Sequence, residues 1–344
     1  MSSGFKRKIS RRDILGFSVV LAGGAGLGLV GSHVVRRLRQ PHVSVAVMRA
    51  DSYEKDLSEI LRDALRLYPQ FSSSVRGKRV VLKPNLVEHH SNRAVTTHPK
   101  LVAAAIETFR SLGAGEVVVA EGPGHRRDTE FMLEESGLAS ALQSVKAKFI
   151  DLNLDPIEPV RLSANITGLG QLWLPRTILA ADIVVSMPKM KTHHWVGATL
   201  SMKNMFGVVP GAKYGWPKNL LHWRGIDESI LDINLAVRPA FAIVDGIEAM
   251  EGDGPIYGNT IKPGVLVLGE SACAVDATAA RIMGIRPGHL RYLYKMLDYG
   301  GTIHEGRIAQ LGEPIDRVRR DFQLLDAFQH LRKPIPLLDF AAGV

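Results

Sequence analysis

The 344-residue chain has a single cysteine, Cys273. One thiol cannot close an intramolecular disulfide, and it cannot supply the four thiolates of a zinc or iron–sulfur site. Aromatic residues are scarce at 6%. No repeat, low-complexity tract or clean linker divides the sequence. No Walker loop occurs, no G-x-G-x-x-G follows the first predicted strand, and no acidic turn has the D-x-D-x-D-G spacing of a calcium loop. An excess of basic charge is present only at first sight. The formal net charge is +9, but residues 1–40 hold eight basic side chains against one acid, Asp13, while the other 304 residues hold 35 against 33. The bulk of the chain is therefore nearly neutral, which removes the electrostatic case for nucleic acid. With 46% hydrophobic and 22% charged residues, it has the composition of a globular protein.

The basic N-terminus has its own logic. Lys6, Arg7, Lys8, Arg11 and Arg12 precede an apolar run from Ile14 to Gly31 that contains six glycines. A positive segment followed by a weakly hydrophobic one reads as a leader. Ser10-Arg11-Arg12-Asp13-Ile14-Leu15 resembles the twin-arginine export motif, and Arg36, Arg37 and Arg39 beyond the run suit that route. A permanent anchor is the other reading, since about 20 apolar residues span a bilayer. The expectation is an exported protein, periplasmic or held at the outer side of the cytoplasmic membrane. It comprises a leader or anchor at 1–40 and a single α/β domain at 41–344, with the twin-arginine machinery as a partner and cleavage left open.

Within that domain, Val/Ile/Leu-rich runs predict strands at 43–48, 79–83, 116–120, 148–152, 182–187, 241–244 and 265–268. Helical spacing recurs at 53–67, 98–112, 226–237, 274–283 and 290–297. Continuous rather than alternating apolar runs fit strands covered on both faces. The rhythm predicts a mostly parallel, doubly wound sheet with helices on both faces. Residues 188–223 break it, being long and rich in Gly and Lys, and read as a binding loop inserted in the domain.

Ligands of open α/β sheets bind beyond the carboxyl ends of the strands. Those ends carry Lys83-Pro84-Asn85, Glu121-Gly122-Pro123-Gly124-His125, Pro188-Lys189-Met190-Lys191-Thr192-His193-His194 and Asp245 through Pro255. Cationic loops segregate from acidic ones, which fits an anion with a divalent cation held by carboxylates. Lys83, Lys189, Lys191 and Lys203 are the expected anion contacts, and Asn85 and Asn204 orient the ligand. His193 is the candidate acid/base, Lys203 a candidate base or nucleophile, and Asp245, Glu248 and Glu251 the candidate cation ligands. Asp227, Glu228, Asp232 and Asp276 read as surface or helix-start acids, Cys273 as a small buried hydrophobe, and Trp195, Trp216 and Trp223 as packing that pins the loop.

Four of these stretches carry a resemblance: Val81-Leu82-Lys83-Pro84-Asn85, Pro188 to His193, Ser201-Met202-Lys203-Asn204-Met205-Phe206-Gly207, and Asp245 to Pro255. Together they resemble the domain-of-unknown-function 362 family, in order from about Val43 to Met283. The resemblance implies an α/β domain, often beside ferredoxin-type iron–sulfur modules, with no settled reaction. This chain has no intrinsic iron–sulfur cluster. A fainter similarity is to lactate-racemase-type proteins, whose glycine-rich loop carries a lysine bonded to a nickel pincer cofactor; Gly197 to Lys203 has a comparable spacing, with Pro210-Gly211 farther along. Three functions stay open on the sequence. One is an enzyme acting on a small anion with metal or cofactor assistance, the second a non-catalytic periplasmic anion- or metal-binding module, and the third a membrane-tethered partner of an iron–sulfur redox subunit.

Overall fold

Strands that bury both faces must alternate between two cores, and the apolar runs do so. In the computed structural model, which describes residues 40–88, 90, 92–124 and 128–334, thirteen strands form in chain order. They are β1 (Val43–Arg49), β2 (Arg79–Pro84), β3 (Glu116–Glu121), β4 (Phe149–Asp151), β5 (Ile157–Arg161), β6 (Gln171–Pro175), β7 (Ile183–Met187), β8 (Lys189–His193), β9 (Gly197–Thr199), β10 (Phe241–Glu251), β11 (Asn259–Ile261), β12 (Val265–Gly269) and β13 (Ile308–Gly312). Val81, Val118, Val184, Ala242 and Val244 face one core. Their neighbours Val80, Leu82, Val119, Val185, Phe241 and Ile243 face the other, as the two-residue side-chain period requires. The helices Leu57–Arg66 and Pro99–Ser111 cover the second core, while Ile226–Val237 and Ala272–Ile282 cover the first. Residues Pro41–Lys333 form one compact unit.

The main sheet runs β13-β1-β12-β10-β7-β2-β3-β4, with β8, β9 and β11 attached beside β10, and β5 pairs with β6 in a separate hairpin. Six of its described pairings are parallel and four antiparallel. It is thus a mixed, mostly parallel sheet. The antiparallel member β12 sits between β1 and β10, a direction that an apolar run does not encode. Residues 188–223 are not the continuous loop that their composition suggests. Lys189–His193 is a strand paired parallel to β10 and antiparallel to β9. Lysine and histidine disfavour strands mainly because they fit poorly on a half-buried pleat, and here they find buried polar partners. The leader, with Arg11 and Arg12, and His125 lie outside the described residues. Among the described residues no helix is long and apolar enough to cross a membrane.

Helix ends follow sequence chemistry closely. Pro99 opens its helix with His98 as N-cap, whose Nδ1 accepts the Lys100 amide at 3.2 Å. Thr97 is turned inward, its Oγ1 donating to Met187 O at 2.6 Å and accepting the Asn85 amide at 2.8 Å, which ties the end of β2 to the end of β7. In the second core, Phe241 stacks on Phe71 with ring centroids 4.5 Å apart and meets the Tyr68 edge at 5.2 Å. Phe241→Ala is expected to cost about 3–5 kcal/mol of unfolding free energy by leaving a cavity under the central strand. Urea denaturation followed by circular dichroism measures it, and a loss near zero would mean this cluster does not organise the core.

Candidate functional site

From β2 the chain moves outward to β3 and β4, then returns to place β7 on the opposite side of β2. The strand order therefore reverses between β2 and β7, and a crevice forms at such a switch point. Lys83 lies opposite Ser186 across that junction. Its ammonium is fully buried and forms an ion pair with Glu121 at the end of β3. It also donates to Asn204 Oδ1 at 3.0 Å and Pro84 O at 2.8 Å, so all three ammonium protons are engaged. Asn204 Nδ2 donates back to Lys83 O and to Ser186 Oγ, each at 3.1 Å. Gly207 closes over the pair. A Cβ there would overlap the Glu121 carboxylate and the Lys83 ammonium, so only glycine lets the backbone approach this closely. Lys83, Glu121 and Asn204 are thereby consumed as the frame of the site rather than left as ligand contacts.

Against this frame opens a cleft of about 390 Å³. Three further lysines line it: Lys191, Lys203 and Lys218. Lys191 donates to Val95 O at 2.7 Å and Pro255 O at 3.2 Å. Lys218 donates to Gly122 O and Phe206 O, both at 2.9 Å. Each ammonium keeps one proton to offer. Lys203 keeps all three; among the described residues its Nζ has no oxygen partner and lies 4.2 Å from the Phe206 ring centroid. Burial pushes the pKa of Lys203 down to about 7, helped by the Lys83 charge. Lys218 is likewise pushed down to about 7 by burial, with Glu121 opposing the shift. Burial and the Lys203 charge hold Lys191 well below the ordinary lysine range. Lys191 and Lys218 are buried and Lys203 half-buried, each among other lysines. Beside them Asn85 Oδ1 and Thr199 Oγ1 are buried without a partner, an unusual state for polar atoms that a ligand would relieve.

Six sequence candidates thus meet at the cleft: Lys83, Asn85, Lys191, His193, Lys203 and Asn204. His193 Nδ1 accepts the Trp195 amide at 3.1 Å, so the neutral ring carries its proton on Nε2. Burial first, then the charge of Lys203, keeps its pKa well below the usual value. That arrangement makes His193 a hydrogen-bond donor more readily than a base. The other four candidates lie elsewhere. Register places Asp245 opposite Lys189, and Lys189 Nζ binds Asp245 Oδ2 at 2.6 Å, Tyr53 Oη at 2.7 Å and Glu248 O at 3.1 Å. Tyr53 Oη and the His98 amide donate to the two Asp245 oxygens at 2.8 and 3.0 Å. Glu248 pairs with Lys262 at 2.8 Å, and Glu251 accepts the Gln323 amide at 2.7 Å. The structure does not gather Asp245, Glu248 and Glu251, and among the described residues no group of three or more His, Cys, Asp or Glu could hold a metal.

Sequence reasoning missed Lys218, Glu121, Thr199 and Asp276. Lys218 sits in a Trp-Pro-Lys stretch with no pattern to single it out. Glu121 directly follows the strand predicted at 116–120 and stands among the strand-end residues named from sequence, but was given no role in the site. Asp276 is no surface acid: fully buried, it accepts the Ser201 and Met202 amides at 2.7 and 2.9 Å and so fixes the short helix Ser201–Asn204 that carries Lys203. Burial raises its pKa to about 7. Asp232 is likewise buried, binding Thr167 Oγ1 at 2.7 Å. Trp195 is 58% exposed at the cleft edge.

The family model for the domain of unknown function DUF362 matches residues 80–281, which span the frame, the cleft and the buried Lys189–Asp245 pair. The chain belongs to this family. A thylakoid-associated protein of Synechocystis sp. is 29% identical over 255 residues, covering 71% of this chain and 75% of that protein. Among solved structures, the lactate racemase apoprotein of Thermoanaerobacterium thermosaccharolyticum aligns over 72% of this chain at 12% identity and TM-score 0.45. A Thermotoga maritima protein aligns over 71% at 11% identity and TM-score 0.34. The chain spans 58% of the length of each of these two.

Removing one member of a buried ion pair strands the other charge. Lys189→Met is therefore expected to cost about 3–5 kcal/mol, while Lys189→Met with Asp245→Leu recovers much of that loss. Denaturant unfolding of both variants checks this; a single-variant loss under about 1 kcal/mol, the size of an exposed pair, would show the network carries no strain of burial.

Proposed function

We propose that the cleft at the β2/β7 switch point binds a small organic anion, with Lys191, Lys203 and Lys218 as cationic contacts and Asn85 and Thr199 as orienting groups. One observation carries the reading: three buried or partly buried lysines of one cleft lack a carboxylate partner among the described residues, beside two buried polar atoms with no partner at all. An uncompensated buried charge is expensive, and a bound carboxylate or phosphate neutralises it. Lys83 and Asn204, assigned above to the frame, act by positioning. His193 supplies an N–H to the ligand or its reacting oxygen. Lys203, with its free amine, is the group suited to accept a proton or bond to carbon, which favours an enzyme over a passive binding module. The carboxylates expected to hold a divalent cation are engaged within the protein, so no step is routed through a metal.

We also place the chain on the twin-arginine export route, on the strength of its leader; the name of the Synechocystis relative, which sets that protein at a membrane, agrees with a location at or beyond one. Fractionation of cells carrying Arg11→Lys with Arg12→Lys reads this, with retention in the cytoplasm expected.

The electrostatics set the sign of the pH effect. Lys203 and Lys218, with pKa values pushed down to about 7, are partly neutral at pH 7, and an anion raises those values by stabilising the charged forms. Binding therefore takes up protons, and affinity rises as pH falls from 8 to 6 for a carboxylate that stays ionised. Calorimetric titration with lactate or inorganic phosphate in two buffers of different ionisation enthalpy measures the uptake. Lys203→Ala is expected to weaken binding at least tenfold, about 1.4 kcal/mol. Unchanged affinity in that variant would remove the cleft from consideration.

A further inference from the structure

We infer that Lys203 is an imine-forming nucleophile and that its partner is a 2-oxo acid, held by its carboxylate on Lys191 and Lys218. The inference rests on the anion-binding reading of the same cleft and adds a covalent step to it.

The first ground is hydrogen bonding. An amine attacks carbon through its lone pair, so a lysine locked in hydrogen bonds is a poor nucleophile. Lys83 spends every proton on Glu121, Asn204 and Pro84. Lys191 and Lys218 each hold two backbone carbonyls. Lys203 alone among these four lies on an aromatic ring with no oxygen partner in the described residues.

The second ground is anchoring. Its backbone is fixed on one side by Asp276, which takes the Ser201 and Met202 amides, and on the other by Asn204. Asn234 Nδ2 adds a bond to Met202 O at 2.9 Å. A side chain free at its tip on a rigid base is what a covalent step needs.

The third ground is the surrounding charge. A lysine desolvated next to other cations keeps a fraction of its amine unprotonated near neutrality, the environment that brings Lys203 to about 7. A carboxylate seated on Lys191 and Lys218 rather than on Lys203 leaves part of that fraction available.

The ligand class follows from the remaining groups. The spare protons of Lys191 and Lys218 suit a carboxylate. The unpartnered Thr199 hydroxyl, buried in the same wall, can donate to the oxygen of an adjacent carbonyl, and the unpartnered Asn85 Oδ1 can accept the hydroxyl proton that this oxygen gains in the carbinolamine. The step balances without an oxidant or reductant. The Nζ lone pair forms a C–N bond to C2 as the C=O π bond breaks. One amine proton passes to the oxygen to give the neutral carbinolamine; the second leaves nitrogen as the C–O bond breaks, so the oxygen departs as one water and C=N remains. Hydrolysis reverses the step.

The test uses the full chain incubated with pyruvate or phenylpyruvate and cyanoborohydride at neutral pH, followed by intact mass and peptide mapping. Binding of lactate, the same kind of anion without the carbonyl, is measured in parallel by calorimetry. One reduced adduct per chain, on the peptide containing Lys203 and lost in Lys203→Met, is the expected result. Lactate binding with no adduct, or adducts spread over exposed lysines, overturns the imine and leaves the anion site standing. Neither adduct nor lactate binding takes down both.

Discussion

Taking an ammonium group out of water costs several kcal/mol unless charge and hydrogen bonds replace the solvent. This domain buries Lys83, Lys189, Lys191 and Lys218 almost completely and Lys203 in part. The rest of the architecture can be understood from how each is accommodated. The Lys83–Glu121 pair is the central case. It requires the ends of β2 and β3 side by side, which their parallel register gives. It requires Asn204 to accept the third proton and Gly207 to let the chain pass close over the pair. Those needs dictate the path of residues 201–207, and through Asp276 they tie that path to the helix Ala272–Ile282 on the first core.

The five lysines divide by partner. Lys83 and Lys189 each face a carboxylate at close range and have their remaining protons satisfied. They behave as struts, joining strands whose side chains would otherwise be buried charges. Lys191, Lys203 and Lys218 face carbonyls or a ring, which satisfy hydrogen bonding in part and leave net charge unbalanced. The same residue type therefore serves two purposes within one domain, and the presence or absence of a carboxylate within reach of the ammonium decides which. That is also why the acids of β10 do not form a cation site: Asp245 is already the counter-ion of Lys189, while Glu248 and Glu251 are drawn to Lys262 and the Gln323 amide.

Much of this was legible from the sequence. Both-face burial followed from unbroken Val/Ile/Leu runs, and the helix Pro99–Ser111 from the helical spacing at 98–112. Of the six candidates that line the cleft, Lys83, Asn85, Lys191 and His193 followed from the rule that ligands sit beyond strand ends, and Lys203 and Asn204 from the Gly- and Lys-rich stretch that holds them. What was hidden depends on partners distant in sequence. Lys189 and Lys191 are two residues apart in one motif, yet one is paired with Asp245 and the other lines the cleft, because strand register rather than local pattern selects their neighbours. Lys218 reaches the site through hydrogen bonds to Gly122 and Phe206, contacts with no periodic signature. Asp276 looked like an ordinary helix acid because its partners lie some 75 positions earlier.

A cleft with unbalanced positive charge also bears on stability. Lys191, Lys203 and Lys218 repel one another in a medium less polar than water, so in the ligand-free protein they lower the unfolding free energy or shed protons. Either response is reversed by an anion that binds only the folded state, and the gain grows with the logarithm of its concentration over its dissociation constant. The Lys83–Glu121–Asn204 frame is what makes this tolerable, since it holds the strand ends and residues 201–207 in place without help from the cleft. The protein thus keeps a preorganised, electrostatically incomplete pocket on a self-sufficient frame, and under the proposed function a bound anion would complete its charge balance.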